Sequence, residues 1–344
     1  MINKEEVKNI LISRTDRLGD VILTLPLVSS VKNFFKDSKV FFLGKKYVEE
    51  LISDYEGIDE FVVVDNLGNI KNSDYTAKSD SFTKKIKLIK KKKIDLAICV
   101  KPEFDLALLF FLSGIKYRIG TGYRWYSFLY NYKVYEHRKI SDKHESEYNL
   151  NLLRSFFPAA ENEKIFHFRY SEKDKEKLKE KIEKENFEPA KGYIIIHPGS
   201  NGSAKDLSSQ KFTEIINMIL EKYPIHKIVF TGLSNERELI KNIIEGIHHN
   251  FHDRIIDLSG KLDLRELMIL IDNSDLFIAN STGPIHIAGA LDKNVIGFYP
   301  NEDAMSSTRW KPLGNKTVVI NPPEGKSMEY INPEKVLEAA EKFL

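Results

Sequence analysis

Cysteine and long hydrophobic runs are scarce in this chain. It has one cysteine, Cys99, among 344 residues. A single thiol excludes a disulfide scaffold and a zinc site built on several thiolates, and it is typical of a reducing compartment. The most apolar stretch, Asp105 to Ile115, is shorter than the ~20 residues that a membrane-spanning helix needs, so we predict a buried helix there.

A secretory signal and an excess of charge of one sign are also lacking. The apolar run after Lys8 is interrupted by Arg14 and Asp16, whereas a signal peptide needs a longer one. The 52 Lys and Arg residues nearly balance the 50 Asp and Glu residues, which excludes a strongly basic nucleic-acid binder and an acidic disordered chain. We therefore expect a cytoplasmic globular protein, which could still touch a membrane surface.

The order of apolar runs predicts an α/β protein of two domains. Short strands that end in turns alternate with helices over residues 8–122, and the pattern restarts at Tyr193. A charged run, residues 171–192, separates the two sets. Such alternation is typical of parallel sheets. We therefore predict two Rossmann-like domains, residues 1–170 and 171–344, which face a central cleft.

The two halves differ in charge. Residues 1–170 carry 29 Lys and Arg against 23 Asp and Glu, whereas residues 171–344 carry 23 against 27. This excess favours an anionic ligand for the first half, although an ordinary solvated surface would show the same balance. The segment Lys84–Lys93 is predicted to be a basic amphipathic helix that either faces solvent or lies against anionic lipid.

Glycine-bearing turns after the strands are the places to look for a site, because ligands bind at the carboxyl ends of parallel strands. The first turn is Ser13–Asp20, and Asp20 would lie where a helix begins. Asp20 could simply cap that helix. It could equally act as a general base that takes a proton from an acceptor hydroxyl, a role for which Asp16 competes.

The second turn, His197–Asp206, is suited to an anion. Gly199 and Gly202 permit close approach of the backbone, whose N–H groups can face a pyrophosphate. Hydroxyl donors and a cation follow, namely Ser200, Ser203 and Lys205. The turn matches neither the Walker pattern nor G-x-G-x-x-G, and an ordinary strand-to-helix loop is the alternative.

Two further turns follow strands of the second half. In Thr231–Glu238, Glu236 could accept hydrogen bonds from a ribose or a base, or merely begin a helix. Residues 280–291 offer a second anion site of hydroxyls and helix N–H groups, with Pro284 suited to an early helical position. Its candidate ligands are Ser281, Thr282, Gly283 and His286, of which the histidine could instead be a packed core residue.

These turns carry a resemblance that extends from about Ile10 to Pro300. The matching stretches are ILISRTDRLGDVILTLPLVSSVK, GIKYRIGTGYR, DKHESEYNLNLL, IHPGSNGSAKDLSSQKF, DLSGKLDLRELMILIDNSDLFIANSTGPIHIAGAL and VIGFYP. They resemble glycosyltransferase family 9, the ADP-heptose:lipopolysaccharide heptosyltransferases. The combination of RTDRLGD with TGPIHIA is the most specific part.

The resemblance implies a GT-B fold, with the acceptor on the N-terminal domain and the nucleotide sugar on the C-terminal domain. It implies inversion at the anomeric carbon, with no bound cofactor or catalytic metal. The chain contains no D-x-D sequence, the usual metal–diphosphate device of the other main glycosyltransferase fold. In GT-B folds the last helix often crosses back to the first domain, so residues 332–344 are expected to pack there.

The resemblance also assigns residues. Asp20 matches the proposed catalytic base, which would deprotonate the acceptor hydroxyl as it attacks the anomeric carbon. Donor contacts are implied for Gly199, Ser200 and Lys205 at a phosphate, Glu236 at the ribose, Leu262 at the adenine, and Ser281, Thr282, Gly283 and His286 in the second phosphate turn. The donor would be ADP-heptose.

The implied acceptor is the phosphorylated, Kdo-bearing inner core of lipopolysaccharide at the cytoplasmic face of the inner membrane. Lys101, Arg118 and Arg124 are candidates for its anionic groups because they lie at predicted strand ends or turns. Peripheral contact with that membrane is part of this expectation.

One position departs from the family pattern. Many members have Asp before the Thr/Ser-Gly pair, where this chain has Ser281. The loss of this carboxylate leaves the identity of the sugar open and favours a rival, a transferase or epimerase for another nucleotide sugar. A non-catalytic nucleotide-sugar binder is a second rival. A dinucleotide-dependent oxidoreductase is a third, against which the absence of G-x-G-x-x-G after the first strand counts.

Overall fold

The structure is a computed structural model that describes residues 2–65, 75–160, 166–189, 192–202 and 204–344. Ser203, one of the predicted hydroxyl donors, lies outside these residues. Within the described part of the chain, no helix is both long enough and apolar enough to cross a membrane.

The chain forms two compact units. The first consists of Met1–Arg138 and Glu145–Arg169, and the second of Lys139–His144 and Tyr170–Leu344. The short segment Lys139–His144 therefore belongs to the second unit, where the His144 Nε2 atom lies 2.7 Å from the Lys311 carbonyl oxygen. No pattern in the sequence predicted that this segment would join the second unit.

The first unit is built on a six-stranded parallel sheet in the order β3-β2-β1-β4-β5-β6. Its strands are β1 (Asn9–Ser13), β2 (Lys39–Gly44), β3 (Glu60–Val63), β4 (Leu96–Cys99), β5 (Tyr117–Thr121) and β6 (Tyr132–Val134). The central strands are buried on both faces, as expected for a sheet that helices cover on both sides.

The second unit repeats the topology. Its parallel sheet has the order β12-β11-β10-β7-β8-β9. The strands are β7 (Tyr193–His197), β8 (Lys227–Phe230), β9 (Ile255–Asp257), β10 (Leu276–Asn280), β11 (Val295–Phe298) and β12 (Thr317–Ile320). Both sheets thus have the doubly wound order, and the predicted α/β class is confirmed.

Helices connect the strands. In the first unit they are α1 (Leu18–Ile22), α2 (Leu25–Phe34), α3 (Glu49–Ile52), α4 (Tyr75–Lys91), α5 (Phe104–Leu112) and α6 (Glu145–Arg154). In the second unit they are α7 (Glu172–Lys184), α8 (Ser209–Lys222), α9 (Arg237–Glu245), α10 (Leu264–Asp272), α11 (Gly283–Ala290), α12 (Ser307–Trp310) and α13 (Pro333–Ala340).

The helix predicted to follow β1 is divided into α1 and α2. Pro26 is the second residue of α2 and lacks the N–H that would continue a helix from α1, while its ring excludes the carbonyl four residues earlier. The break falls at Leu23 and Thr24. Leu23 and Thr24 thereby become available to α6, whose Asn149 side chain donates to the Leu23 carbonyl.

The last helix, α13, is part of the core of the second unit, and its packing on the first domain stays a prediction. Val336, Ala339 and Ala340 of α13 enter the core of the second unit, together with residues of α8 and β11. The apolar face of α13 is therefore buried within its own unit.

Each sheet has a point where the strand order reverses, and these points position the candidate residues. In the first sheet the reversal lies between β1 and β4, and in the second between β7 and β10. A crevice forms at the carboxyl ends of such strands because their connections leave in opposite directions. The loops after these four strands contain most of the residues predicted from sequence.

Candidate active site

A buried arginine organises the loop after β1. Arg14 lies at the carboxyl end of the strand and donates from Nε to Asp16 Oδ1 at 2.6 Å. Its two terminal nitrogens donate to Asp20 and, at 3.1 Å, to Glu145 Oε1. Three carboxylates thus surround one buried guanidinium, which partly neutralises them.

Helix α6 supplies the far side of this cluster. Glu145 is its first residue and is almost completely buried. It accepts a second hydrogen bond, of 2.6 Å, from Arg138 Nη1. Asn149, one turn later, accepts from Arg14 at 3.3 Å and donates to the Leu23 carbonyl at 3.0 Å. The cluster therefore fixes both the β1 loop and the break between α1 and α2.

The pKa of Asp20 is raised above that of an ordinary aspartate. Burial raises the pKa of Asp20 to about 6, Arg14 opposes that rise, and the charges of Asp16 and Glu145 add to it. The side chain is 13% exposed. A carboxylate with this pKa is mostly ionised at neutral pH yet more basic than an ordinary aspartate, which suits a general base.

Asp20 is not the N-cap residue of α1, although it lies in the first turn, where its charge favours the helix dipole. Helix α1 begins at Leu18, its N-cap residue is Arg17, and Asp20 is the third helical residue. The carboxylate of Asp20 bonds to the Arg14 side chain. Asp16, the competitor for the base, also bonds to Arg14 and is comparably buried.

The loop after β4 lies next to this cluster. Lys101 Nζ donates to Glu103 Oε1 at 2.6 Å, and Glu103 Oε2 accepts from the Thr15 hydroxyl at 2.8 Å. Lys101 is therefore held near the β1 loop. Arg124 is exposed in the turn after β5, at the same edge of the sheet.

Arg118 lies elsewhere. It is the second residue of β5, near the amino end of the strand. Its guanidinium donates to the carbonyls of Leu129 and Ile115. These bonds hold the segment after β5 in place, so we leave Arg118 out of the acceptor site proposed below.

In the second unit the loop after β7 is fixed from beneath by β10. Asn280, the last residue of β10, is fully buried, donates to the Pro198 carbonyl at 2.6 Å and accepts from the Leu207 N–H at 3.0 Å. Within the loop, Asn201 and Gly202 have φ values of 48° and 70°. Two successive left-handed residues turn the chain sharply, a conformation that favours asparagine and glycine.

Glu236 joins this loop to the loop after β8. Its carboxylate accepts from the Leu233 N–H at 2.7 Å and from the Asn201 N–H at 3.3 Å. Gly199 packs directly against it, because a Cβ at Gly199 would lie 2.1 Å from Glu236 Oε1. The carboxylate is buried and retains acceptor capacity beyond these two bonds.

The polar residues of the β7 loop already have partners. The Ser200 hydroxyl accepts from the Ala204 N–H at 3.4 Å and bonds to Asp206. Lys205 forms an ion pair with Glu302, which follows β11. Both members of this pair are largely exposed, so water competes with their attraction and the ammonium can exchange partners at little cost.

Leu262 follows β9 and is partly exposed, immediately before Asp263, the N-cap residue of α10. Its loop is joined to the preceding one by a hydrogen bond from the Gly260 N–H to the Gly232 carbonyl, 2.8 Å long. Leu262 therefore lies at the same edge of the sheet as Glu236.

The loop after β10 ends in a helix N-terminus. Thr282 is the N-cap residue of α11 and makes no side-chain capping bond, and Gly283 and Pro284 begin the helix. The first N–H groups of a helix have no partner within the helix, and the helix dipole favours an anion there. This loop is adjacent to the β7 loop because β7 and β10 are paired.

His286 lies one turn into α11 and is buried. Its Nδ1 atom has no hydrogen-bond partner among the residues that the structure describes, and burial lowers its pKa to about 3. The imidazole is therefore neutral at physiological pH and cannot attract a phosphate through charge. Its contribution to a phosphate site would be a hydrogen bond.

Ser281, the position that departs from the family pattern, bonds to the buried Tyr299 side chain. The Tyr299 hydroxyl donates onward to the Trp310 carbonyl at 3.1 Å. An aspartate at 281 would put a charge beside this phenol, whereas serine keeps the contact neutral.

Sequence reasoning missed Arg14, Arg138, Glu145, Asn149 and Asn280. All five lie within or beside quoted motifs, but none belongs to a recognised catalytic pattern. Their importance comes from contacts between distant segments, such as the bond between Arg14 and Glu145, which are 131 residues apart.

The arrangement can do two things chemically. The first unit presents a buried, basic carboxylate, and the second presents adjacent loops with backbone donors, a lysine and a helix N-terminus that suit a diphosphate. Among the described residues, no three His, Cys, Asp or Glu side chains are grouped so that they could hold a metal ion.

Comparisons with known proteins agree with this pattern. The sequence profile of glycosyltransferase family 9 (heptosyltransferase) matches residues 82–338. The chain is 28% identical to a Haemophilus influenzae protein named only as a candidate glycosyltransferase, over 98% of this chain and 97% of the relative. It is 23% identical to the Escherichia coli lipopolysaccharide heptosyltransferase 3, over 87% of this chain and 85% of the relative.

A solved structure shows the fold. The E. coli ADP-heptose lipopolysaccharide heptosyltransferase II is 18% identical and superposes with a TM-score of 0.81 over 98% of each chain. This likeness confirms the predicted GT-B fold of two Rossmann-like domains. With a profile match over most of its length, the chain belongs to glycosyltransferase family 9, the heptosyltransferases, and is a glycosyltransferase.

Proposed function

We propose that the protein transfers a heptose from ADP-heptose to the inner core of lipopolysaccharide, with inversion at the anomeric carbon and without a catalytic metal. The observation that carries the proposal is Asp20, a buried carboxylate with a raised pKa beside the reversal point of the first sheet. It belongs to a chain of the heptosyltransferase family.

The acceptor would meet Asp20 at the edge of the first sheet. The Asp20 carboxylate takes the proton of the acceptor hydroxyl as that oxygen forms a bond to the anomeric carbon, while the bond from this carbon to the diphosphate breaks and ADP leaves. Arg14 holds the carboxylate in place and keeps it ionised. Lys101 and Arg124 are the cations proposed to meet the acceptor's anionic groups.

The donor would be bound by the second unit. Gly199, Ser200 and Lys205 are proposed at one end of the diphosphate, with Thr282, Gly283 and His286 at the other. Backbone N–H groups of the two loops and the Lys205 ammonium would stabilise the negative charge that develops on the departing diphosphate. This stabilisation replaces the divalent cation that other glycosyltransferases use.

The nucleoside end would lie over the loops after β8 and β9. Glu236, which accepts two backbone hydrogen bonds, retains acceptor capacity for a ribose hydroxyl. Leu262 presents an apolar, partly exposed side chain to the adenine. The structurally similar E. coli protein is an ADP-heptose lipopolysaccharide heptosyltransferase, which supports this choice of nucleotide.

A binding screen tests the donor. The full chain is titrated by calorimetry with ADP, UDP, GDP and dTDP, and with the corresponding sugar nucleotides as each is obtained. We expect ADP and ADP-heptose to bind most tightly. Clearly tighter binding of another sugar nucleotide would refute the heptose assignment.

Ser281 favours one alternative, a transferase for another ADP-linked sugar. The serine removes a carboxylate that would otherwise orient sugar hydroxyls beside the second phosphate turn. If this alternative is right, ADP binds normally but ADP-heptose gains no affinity over ADP. The Ser281→Asp variant distinguishes heptose transfer from transfer of another sugar. A heptose site that lacks an orienting carboxylate should bind ADP-heptose more tightly in this variant, whereas a site for another sugar should not.

A further inference from the structure

An apolar face of α5 is partly exposed to solvent: Phe104 and Leu108 are partly buried against the core of the first unit, whereas Phe111 is exposed. Phe104, Leu108 and Phe111 are spaced by four and three residues and therefore share one side of the helix. The opposite side, with Leu106 and Phe110, is buried in the core of the first unit. Phe111 is 48% exposed, which is unusual for a phenylalanine in a helix that packs on a sheet.

The loop after β5 enlarges this face. Trp125 is 74% exposed, and its ring stacks on Phe104 with 4.9 Å between centroids. Phe128, in the same loop, is 67% exposed. The Arg118 guanidinium lies 5.3 Å from the centre of the Phe111 ring and donates to the carbonyl of the residue after Phe128.

We call this surface the aromatic ridge. It consists of Phe104, Leu108, Phe111, Leu112, Trp125 and Phe128. Four of these side chains, Phe111, Leu112, Trp125 and Phe128, are exposed. A group of large exposed apolar side chains costs solubility and is uncommon unless something covers it. Tryptophan at its outermost point is typical of side chains that sit at the boundary between water and lipid.

A positive surface flanks the aromatic ridge. Helix α4 packs beside α5 through Phe82, Ile86 and Ile89. Residues 82–93 contain seven lysines and no acidic residue, and Lys84, Lys87, Lys90 and Lys91 are exposed.

The acidic residues near the ridge are few. Asp105 is the single carboxylate of residues 104–131. A second copy of this chain is therefore a poor match for the ridge, because a twofold contact through it would bring like charges together. Anionic head groups match it in both charge and polarity.

The ridge begins beside the candidate base. Phe104 directly follows Glu103, which accepts a hydrogen bond from Thr15 in the loop that contains Asp16 and Asp20. A bilayer in contact with the ridge would thus lie next to the edge of the first sheet, where a lipid-borne acceptor must arrive.

We propose that the aromatic ridge and the exposed lysines of α4 form a docking surface for an anionic lipid bilayer. Its use in presenting the acceptor rests on the proposed function, whereas the binding itself does not. Trp125 and Phe128 would enter the interfacial region of the bilayer, and the lysines would remain at the head groups.

The test is sedimentation of the full chain with sucrose-loaded vesicles. One set is phosphatidylcholine alone, and the other contains about 30% phosphatidylglycerol. We expect binding to the anionic set that weakens as salt is added. The pair Trp125→Ser/Phe128→Ser should lower the partition coefficient at least about tenfold, since two large apolar side chains no longer leave water.

Charge is tested separately on matched helices. Lys87→Gln/Lys91→Gln should lower binding to the anionic vesicles by roughly tenfold. Its control is Lys173→Gln/Lys177→Gln on α7, which removes the same charge at the same spacing from another exposed helix and should leave binding unchanged. Tyr330→Ser, at an exposed aromatic of the second unit, is the control for the aromatic pair.

Each result decides the proposal. Equal binding to both vesicle types, or equal losses in variants and controls, would overturn it. A dimer in lipid-free buffer that the Trp125→Ser/Phe128→Ser pair dissociates would also overturn it, in favour of a second copy. The vesicles contain no acceptor sugar, so failure of heptose transfer leaves this result intact. Conversely, the Trp125→Ser/Phe128→Ser variant should still transfer heptose to a lipid-free acceptor core if the proposed function holds.

Discussion

The choice between Asp20 and Asp16 as catalytic base is decided by one substitution, Asp16→Asn. Both carboxylates bond to Arg14, and the asparagine keeps an oxygen that can accept from Arg14 Nε. The substitution therefore removes a charge with little change of shape. If Asp20 is the base, the variant stays active.

The charge of Asp16 is one of the causes that raise the pKa of Asp20 to about 6, after burial and against the attraction of Arg14. Removing a like charge that shares the same guanidinium should lower this pKa by about one unit. A carboxyl of pKa 6 is about one-tenth ionised at pH 5, whereas one of pKa 5 is about half ionised. The variant should thus retain about five times more of its plateau activity at pH 5.

The assay is kcat/KM for transfer between pH 4.5 and about 8, since this ratio reports ionisations of the free enzyme. The wild-type acid limb should have a midpoint near 6, and that of Asp16→Asn should lie about one unit lower. Asp20→Asn should lose at least about a hundredfold in rate at every pH while still binding ADP. Loss of activity in Asp16→Asn, or an unmoved acid limb, would refute this assignment.

Three further predictions concern the donor side. Lys205→Gln should weaken ADP binding by about tenfold because a charge-assisted contact is lost. Glu302→Gln should tighten ADP binding by about twofold because it releases Lys205 from its ion pair. Calorimetry measures both affinities. Gly199→Ala should weaken ADP binding and lower Tm because its Cβ displaces the Glu236 carboxylate. The double variant Gly199→Ala/Glu236→Ala should recover part of the Tm that Gly199→Ala loses. If Glu236→Ala instead lowers Tm in the double variant as much as it does alone, the proposed contact between the two residues is contradicted. Transfer should continue unchanged in EDTA, and a rate that collapses and returns with Mg²⁺ or Mn²⁺ would disprove the metal-free proposal.

Much of the fold follows from local patterns in the sequence. Parallel strands that are buried on both faces have short, continuously apolar sequences. For this reason β1, β7 and β10, and the turns after them, could be predicted from the sequence. Of the four edge strands, β3 and β9 were predicted and β6 and β12 were not. Pro26 marks the break between α1 and α2, although the apolar spacing of that segment resembles one continuous helix.

The candidate site was predicted only in part, since sequence indicates which loop a residue occupies but not what it touches. Asp20 and Glu236 were recognised in their turns. The guanidinium that holds Asp20 and the glycine contact that packs against Glu236 are tertiary contacts. Arg118 shows the reverse case, a cation that serves backbone carbonyls at the amino end of β5.

The surface on which α13 packs could not be predicted from its sequence. A short amphipathic helix can bury its apolar face on any complementary surface, and the sequence gives the face but not the surface. Val336 and Ala340 bury it on the second unit. The sequence of α13 alone does not specify on which domain its apolar face packs.

The central claim is that one displacement, assisted by Asp20, moves a heptose from ADP-heptose to the inner core. The most direct measurement is the anomeric configuration of the product, determined by NMR after incubation of the wild-type chain with ADP-heptose and a lipid-free inner-core acceptor. The account predicts one added heptose whose configuration is opposite to that in the donor, and none with Asp20→Asn. A product with retained configuration, or transfer that survives in Asp20→Asn, would contradict it.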